Sequence, residues 1–160
     1  MIDGKIVLHF RAPANTLSGY GVHSRQILDT LLADDRFLVC YESINWGLCP
    51  YIHDDERIKP YHEANVRFHQ AKEQNVPFDV SIHVSIPNEF ERTATLNIGV
   101  TAGIETDRCS HKWIEKCNLM DHIVVPSNHS KNVLLKTVAA WKNNKTGETG
   151  ELKIVKPIEV

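Results

Sequence analysis

An α/β fold built on a mainly parallel sheet is what this sequence predicts. Short apolar runs recur along the whole length, stretches with apolar residues at helical spacing alternate with them, and Gly, Pro, Ser or Asp bound most of the runs. Runs of four or five apolar residues suit strands buried on both faces, as in a parallel sheet, and such sheets bind ligands just beyond the carboxyl ends of their strands. Polar residues that directly follow a run are therefore the first candidates for function.

Residues 6–10 form the first run, interrupted only by His9; a loop over 11–21 follows, and Ile27, Leu28, Leu31 and Leu32 then repeat at helical spacing. Asp34 and Asp35 supply turn chemistry before a second run at 37–41, which closes a βαβ unit. Residues 43–77 carry scattered aromatics, three histidines and the acidic cluster Asp54, Asp55 and Glu56, with a helix expected across roughly 63–74. Val80, Ile82, Val84 and Ile86 alternate with Ser81, His83 and Ser85, the two-residue period of a strand with one polar face, and Pro87 ends it. Leu96, Ile98 and Val100 predict another strand, the segment around Trp113 and Ile114 a helix, and residues 123–125 a further buried strand. Ser127 is a good N-cap for a helix whose apolar stripe is Val133, Leu134, Leu135 and Val138. The polar run 142–151 reads as a flexible loop, and 152–160 as a last strand with Pro157 inside it. No internal repeat is visible.

At 160 residues the chain has the size of one domain, residues 1–160, and can bury one core. Its formal net charge of -2 gives no electrostatic reason to expect nucleic acid or anionic lipid as a partner. No apolar run approaches the roughly 20 residues needed to span a bilayer. Met1 leads into a strand-like run without a basic region or cleavage site, so the expectation is a cytoplasmic protein whose Cys40, Cys49, Cys109 and Cys117 stay reduced. Asn128-His129-Ser130 and Asn144-Lys145-Thr146 match the glycosylation acceptor pattern, but that compartment argues against modification.

Ser18, Gly19, Tyr20, Gly21 and Val22 lie between a strand and a helix, where glycines let backbone N–H groups approach a phosphate or a sugar hydroxyl. Ser24 occupies the third glycine position of the dinucleotide fingerprint, which disfavours a dinucleotide cofactor, and a tight turn that merely needs glycine is the competing reading. His23, read as part of the first turn of the helix, could hydrogen-bond a ligand as a neutral ring. Glu105, Thr106, Asp107 and Arg108 follow a strand; the carboxylates could serve as a base, orient a hydroxyl, hold a divalent ion, or form a surface ion pair with Arg108. Cys109, His111, Cys117 and His122 have zinc-ligand chemistry in a spacing that matches no tetrahedral site, so no metal site is predicted. His9 and His83 read as hydrogen-bonded residues inside strands, and Trp113 as a core anchor.

Taken together these segments resemble the N-terminal domain of the family 4 (group 1) glycosyltransferases, which have the two-lobed GT-B fold. The residues that carry the resemblance are Gly4-Lys5-Ile6-Val7-Leu8, Ser18-Gly19-Tyr20-Gly21, Thr101 to Glu105, Trp113, Asn118, Asp121, and Val124-Val125-Pro126-Ser127. Order and spacing agree over residues 4–138. The resemblance implies a Rossmann-like lobe, a mainly parallel sheet with helices on both faces, and retaining transfer of a sugar from a nucleotide-sugar donor to a hydroxyl acceptor without an obligatory metal or other cofactor. It implies that Gly19 and Gly21, with Tyr20 and His23 beside them, approach the donor diphosphate. Glu105 is the candidate catalytic residue, Thr106 and Ser127 line the cleft, and Asn88 and Glu89 lie on the acceptor side.

The family's second lobe, which grips the nucleotide sugar, has no counterpart in these 160 residues. The expectation is a domain that is inactive or nearly so unless a separate C-terminal glycosyltransferase domain completes it; without that lobe Glu105 can shape an acceptor pocket but is not expected to catalyse transfer. A non-catalytic glycan-binding or protein-interaction module on the same fold is the alternative, and a nucleotide-binding domain with unrelated chemistry is a third reading that rests on the glycine loop alone.

Overall fold

The computed structural model describes residues 2, 4–142 and 145–160. Along the chain these form β1 (Ile6–Ala12), α1 (Gly19–Leu32), β2 (Phe37–Ser43), α2 (Asp55–Glu73), β3 (Phe78–Val84), a 3₁₀ turn (Pro87–Glu89), β4 (Ala94–Val100), α3 (His111–Cys117), β5 (His122–Val124), α4 (Asn128–Lys136), β6 (Ala139–Lys142), β7 (Thr149–Leu152) and β8 (Ile158–Glu159). Six strands make one mainly parallel sheet in the order β2-β1-β3-β4-β5-β8, flanked by helices on both faces, which is a Rossmann-like α/β architecture. β6 and β7 form a separate antiparallel pair. By its contacts the backbone divides into two compact units, Met1–Val84 with Arg92–Asn97, and Ser85–Glu91 with Ile98–Val160.

In the first unit β1 pairs in parallel with β2 on one edge and β3 on the other, so it is an interior strand of the sheet. Val7, Leu8, Phe10 and Ala12 are accordingly buried, as a continuous apolar strand requires. Ser18 caps α1 by accepting the Gly21 N–H at 2.9 Å. α1 therefore begins at Gly19, and both glycines belong to its first turn instead of a preceding loop. The inward face of α1 includes a charge: Arg25, 5% exposed, donates from Nη1 to the carbonyls of Ala14 and Thr16, both at 2.6 Å.

α2 starts eight residues before the helix expected from the sequence. Asp54 caps it, accepting the Arg57 N–H at 3.3 Å, and Ile58, Tyr61, Ala64, Phe68 and Ala71 form its buried stripe. Pro60 hides this start in the sequence, yet it forfeits only the hydrogen bond that its missing N–H would have made one turn back. β2 lies at the sheet edge, and Arg67 Nε and Asn65 Nδ2 donate to its carbonyls of Val39 and Tyr41, each at 2.9 Å. Side chains of α2 thus occupy acceptors that a second chain could otherwise pair with.

The polar face expected of β3 does not face solvent. Ser81 and His83 are fully buried, whereas Val80 and Ile82 are only half-buried. The reversal is possible because Ser81 Oγ donates to Asn97 Oδ1 at 2.8 Å and His83 finds the Thr93 hydroxyl at 3.5 Å, so both polar groups remain bonded inside.

Two phenols of this unit are sealed off. Burial pushes Tyr41 up to about 12, and burial together with its hydrogen bond to the Asp29 carboxylate, 2.6 Å away, does the same to Tyr61. Because the folded values exceed the unfolded value of 10.0, both groups stabilise the fold below pH 10 and lose that contribution as pH rises towards 12. Absorbance titration at the phenolate band should show two of the four tyrosines resisting ionisation until about pH 12 or until unfolding; four ionising together near 10 would contradict the packing.

In the second unit β4 pairs in parallel with β5, and β5 with β8. Its core consists of Phe90, Ile114, Cys117, Met120, Ile123, Val125, Leu134, Ile154 and Ile158, with Trp113 packed against it and partly buried. Gly99 lets the Phe90 ring lie on β4, since a Cβ there would meet the ring at 2.5 Å. Cys117 is buried within this core, and burial raises its thiol to about 12, which makes it an inert packing residue.

Three expectations near the C-terminus are corrected. The ends of the expected loop over 142–151 are strand: Thr149–Leu152 pairs with Ala139–Lys142, registering Ala139 with Leu152 and Trp141 with Gly150. The last strand is only Ile158–Glu159, and Leu152 ends the hairpin. α4 also stops at Lys136, so Val138 lies beyond it, and Leu135 and Val138 are 45% and 49% exposed while Val133 and Leu134 are buried. Asn144 of the second acceptor pattern lies outside the described residues.

Candidate functional site

The site residues expected from the sequence fall into two groups, one in each unit. In the first unit, Gly19 is exposed and has open space where a side chain would be, and Tyr20 is half-buried with its ring tilted against Trp46 at 5.0 Å. Gly21 is buried and its missing Cβ would stand 2.1 Å from the Thr16 carbonyl oxygen, so close packing of loop on helix dictates this glycine. His23 sits in the second turn of α1, not the first, and is exposed.

In the second unit, the loop after β4 packs down on the start of α4. Gly103 has φ +79 and a Cβ on it would meet Ser130 Oγ at 2.4 Å. Ser130 Oγ donates to the Ala102 carbonyl at 3.4 Å, and Ser127 Oγ caps α4 by accepting the Ser130 N–H at 3.1 Å while donating to Ser130 Oγ at 3.1 Å. The structure thereby ties the Thr101–Gly103 turn to Ser127 through Ser130, a residue that the sequence reading passed over as part of an acceptor pattern. Glu105 and Thr106 extend beyond this turn into solvent, where Thr106 Oγ1 donates to the Arg108 carbonyl at 2.7 Å. Asn88 and Glu89 occupy the exposed 3₁₀ turn after β3. Asn118 has a structural duty: Nδ2 donates to Lys153 O at 2.9 Å and Oδ1 accepts from Val155 N at 3.0 Å, holding the chain between β7 and β8.

A third constellation, in the first unit, was not foreseen from the sequence. His9, 2% exposed, forms a cluster with the rings of Phe68 and Phe78, stacked at 5.0 and 4.8 Å, with Nε2 2.9 Å from Glu42 Oε2 and Nδ1 2.7 Å from Thr93 Oγ1. Arg11 Nε stands 3.2 Å from the same Glu42 oxygen. Burial by itself would raise Glu42, but the His9 hydrogen bond and the Arg11 charge outweigh it and hold the carboxyl below its ordinary value. His9 alone carried a signal, as a polar residue inside an apolar run; Glu42 and Thr93 lie 33 and 84 positions away and share no motif with it.

Among the described residues no group of three or more His, Cys, Asp or Glu side chains is placed to hold a metal ion, and no helix is long and apolar enough to cross a membrane. Fold and loops together define a Rossmann-like α/β protein with polar loops after its strands. No protein-family model, no curated protein and no solved structure matches the chain.

Proposed function

We propose that residues 1–160 form the acceptor-side lobe of a cytoplasmic, retaining glycosyltransferase of the family 4 type, which moves a sugar from a nucleotide-sugar donor to a hydroxyl acceptor once a second lobe is supplied. One observation carries the reading: the glycine turn, Asn88 with Glu89, Glu105 and Ser127 each follow the carboxyl end of a different strand, β1, β3, β4 and β5. These are the positions at which sheets of this kind present ligand contacts. Gly19 offers unhindered backbone to a diphosphate, and Tyr20 and His23 flank it on α1. Glu105, Thr106 and Ser127 orient the acceptor, while the oxocarbenium-like transition state is stabilised mainly through the leaving diphosphate, so this lobe contributes proximity.

The test is a transfer assay over a panel of nucleotide sugars and acceptors, with and without an added C-terminal glycosyltransferase domain. Turnover is expected only with the added domain, and Glu105→Gln, by loosening the position of the acceptor, should lower it about 100-fold. Because Glu105 is exposed, the variant should melt like the parent. Turnover in neither arm would remove the enzyme reading. The alternative, a protein-interaction module, draws on the exposure of Val155 and Val160 in the second unit, 71% and 59%. It would prevail if the chain bound no nucleotide sugar and a double Val155→Asp, Val160→Asp variant lost a specific protein partner.

A further inference from the structure

The constellation around His9 lies outside the sugar-transfer reading. It has the parts of a nucleophilic site: a carboxylate, an imidazole and a hydroxyl in one hydrogen-bonded line, drawn from β2, β1 and the segment before β4. A carboxylate can only accept, so with a neutral ring the proton sits on Nε2 towards Glu42, leaving Nδ1 to accept from the Thr93 hydroxyl. Phe68 and Phe78 stack against the ring and against each other, and His83 Nε2 stands 3.5 Å from the same hydroxyl. The line also reaches the surface. Thr93 is half-buried and lines a groove of ≈ 220 Å³ together with Lys72, Asn75, Val76, Pro77 and Phe78.

We propose that Glu42, His9 and Thr93 form a hydrolytic site in which the Thr93 hydroxyl is the nucleophile towards small acyl esters. As Oγ1 bonds to the ester carbonyl carbon, its proton passes to His9 Nδ1; when the carbon–oxygen bond to the alcohol breaks, that proton goes to the leaving oxygen. Water then repeats the sequence on the Thr93 ester, giving its proton to His9 and releasing the acid as the proton returns to Thr93. Glu42 is a positioning residue that fixes the ring's tautomer. The N–H groups of Thr93 and Ala94 already donate to Asn97 Oδ1 at 2.9 and 3.1 Å and are not free to hold an oxyanion. Lys72 is the cation of the groove that can meet it. The groove's size restricts the acyl group to a few carbons, and its mixed lining of Lys72 and Asn75 with Val76, Pro77 and Phe78 suits a short acyl chain on a polar alcohol.

The deciding experiment treats the full chain with a fluorophosphonate probe, maps the adduct by peptide mass spectrometry, and follows p-nitrophenyl acetate turnover. One adduct on Thr93 is expected. Thr93→Val should abolish it and lower turnover about 100-fold, Thr93→Ser should keep both, and Glu42→Gln should lower kcat with KM unchanged. An adduct on any other residue, no adduct at all, or equal turnover by a folded Thr93→Val would overturn the proposal. Should Thr93→Val fail to fold, the adduct map of the unaltered protein decides the matter by itself.

Discussion

Asn97→Ala is expected to lower the stability of the fold by about 3–4 kcal/mol, a loss as large as truncating a core aromatic although no apolar packing is removed. Asn97 is fully buried, and its Oδ1 accepts from Ser81 Oγ at 2.8 Å, Thr93 N at 2.9 Å and Ala94 N at 3.1 Å, while Nδ2 donates to Ala94 O at 2.8 Å. Truncation removes every one of these bonds and leaves two backbone donors and a buried serine hydroxyl to find other partners. Each buried group left unpaired costs about 1–3 kcal/mol, partly recovered where water can enter beside the half-buried Thr93. Urea unfolding would show the midpoint falling with the slope unchanged. Asn97→Asp sharpens the expectation, because it keeps the acceptor but sets a charged oxygen against the Ala94 carbonyl. It should be destabilised at neutral pH and recover on acidification, when the protonated carboxyl donates again. A loss of less than 1 kcal/mol for Asn97→Ala, roughly the value of one ordinary hydrogen bond, would show that the network does not hold the start of β4.

Gly21→Ala is expected to cost about 2–3 kcal/mol, whereas Gly19→Ala two residues away should be neutral or slightly stabilising. A Cβ on Gly21 would stand 2.1 Å from Thr16 O and 2.6 Å from Thr16 Oγ1, so the 14–16 loop would have to move. That loop cannot move freely: Arg25 donates to the carbonyls of both Ala14 and Thr16, and Thr16 Oγ1 donates to Pro13 O at 2.9 Å. Gly19 has nothing within 4 Å of a Cβ, and alanine there restricts the unfolded chain. Thermal melts separate the two variants. In the transfer assay the order should reverse in meaning: Gly19→Ala, still fully folded, should weaken donor use if the diphosphate approaches its backbone. Equal stability of the two variants would show that loop and helix are not tightly joined at Gly21.

The strands of the main sheet were legible in the sequence because burial on both faces demands uninterrupted apolar runs, and β1, β2 and β5 have them. Helix starts were legible where a capping residue stood before an apolar stripe, as at Ser127. α2 was read short because Pro60 and the charged residues around it mask a stripe that only Tyr41, Val39 and the sheet edge make sense of. The β6–β7 hairpin was missed for a different reason. Its strands have little apolar alternation, and pairing comes from backbone bonds and from the Trp141 ring lying over Gly150, whose Cβ would meet the indole at 2.8 Å. Of the candidate site, Ser127 and the glycine turn could be found locally, whereas Ser130, Glu42 and Thr93 could not, since their partners are distant in sequence.

The sequence by itself determined the α/β class, the parallel strands and the loops that follow them, because hydrophobic period and turn chemistry are local and every residue carries its share of the signal. Only the tertiary structure decided which polar residues are buried and what they touch. Ser81 and His83 turn inward because Asn97 and Thr93 are there to receive them, and His9 meets Glu42 because β1 and β2 register His9 beside Cys40, two residues from it. Such contacts depend on strand order and register, which are properties of the whole sheet, and no window of the sequence contains them.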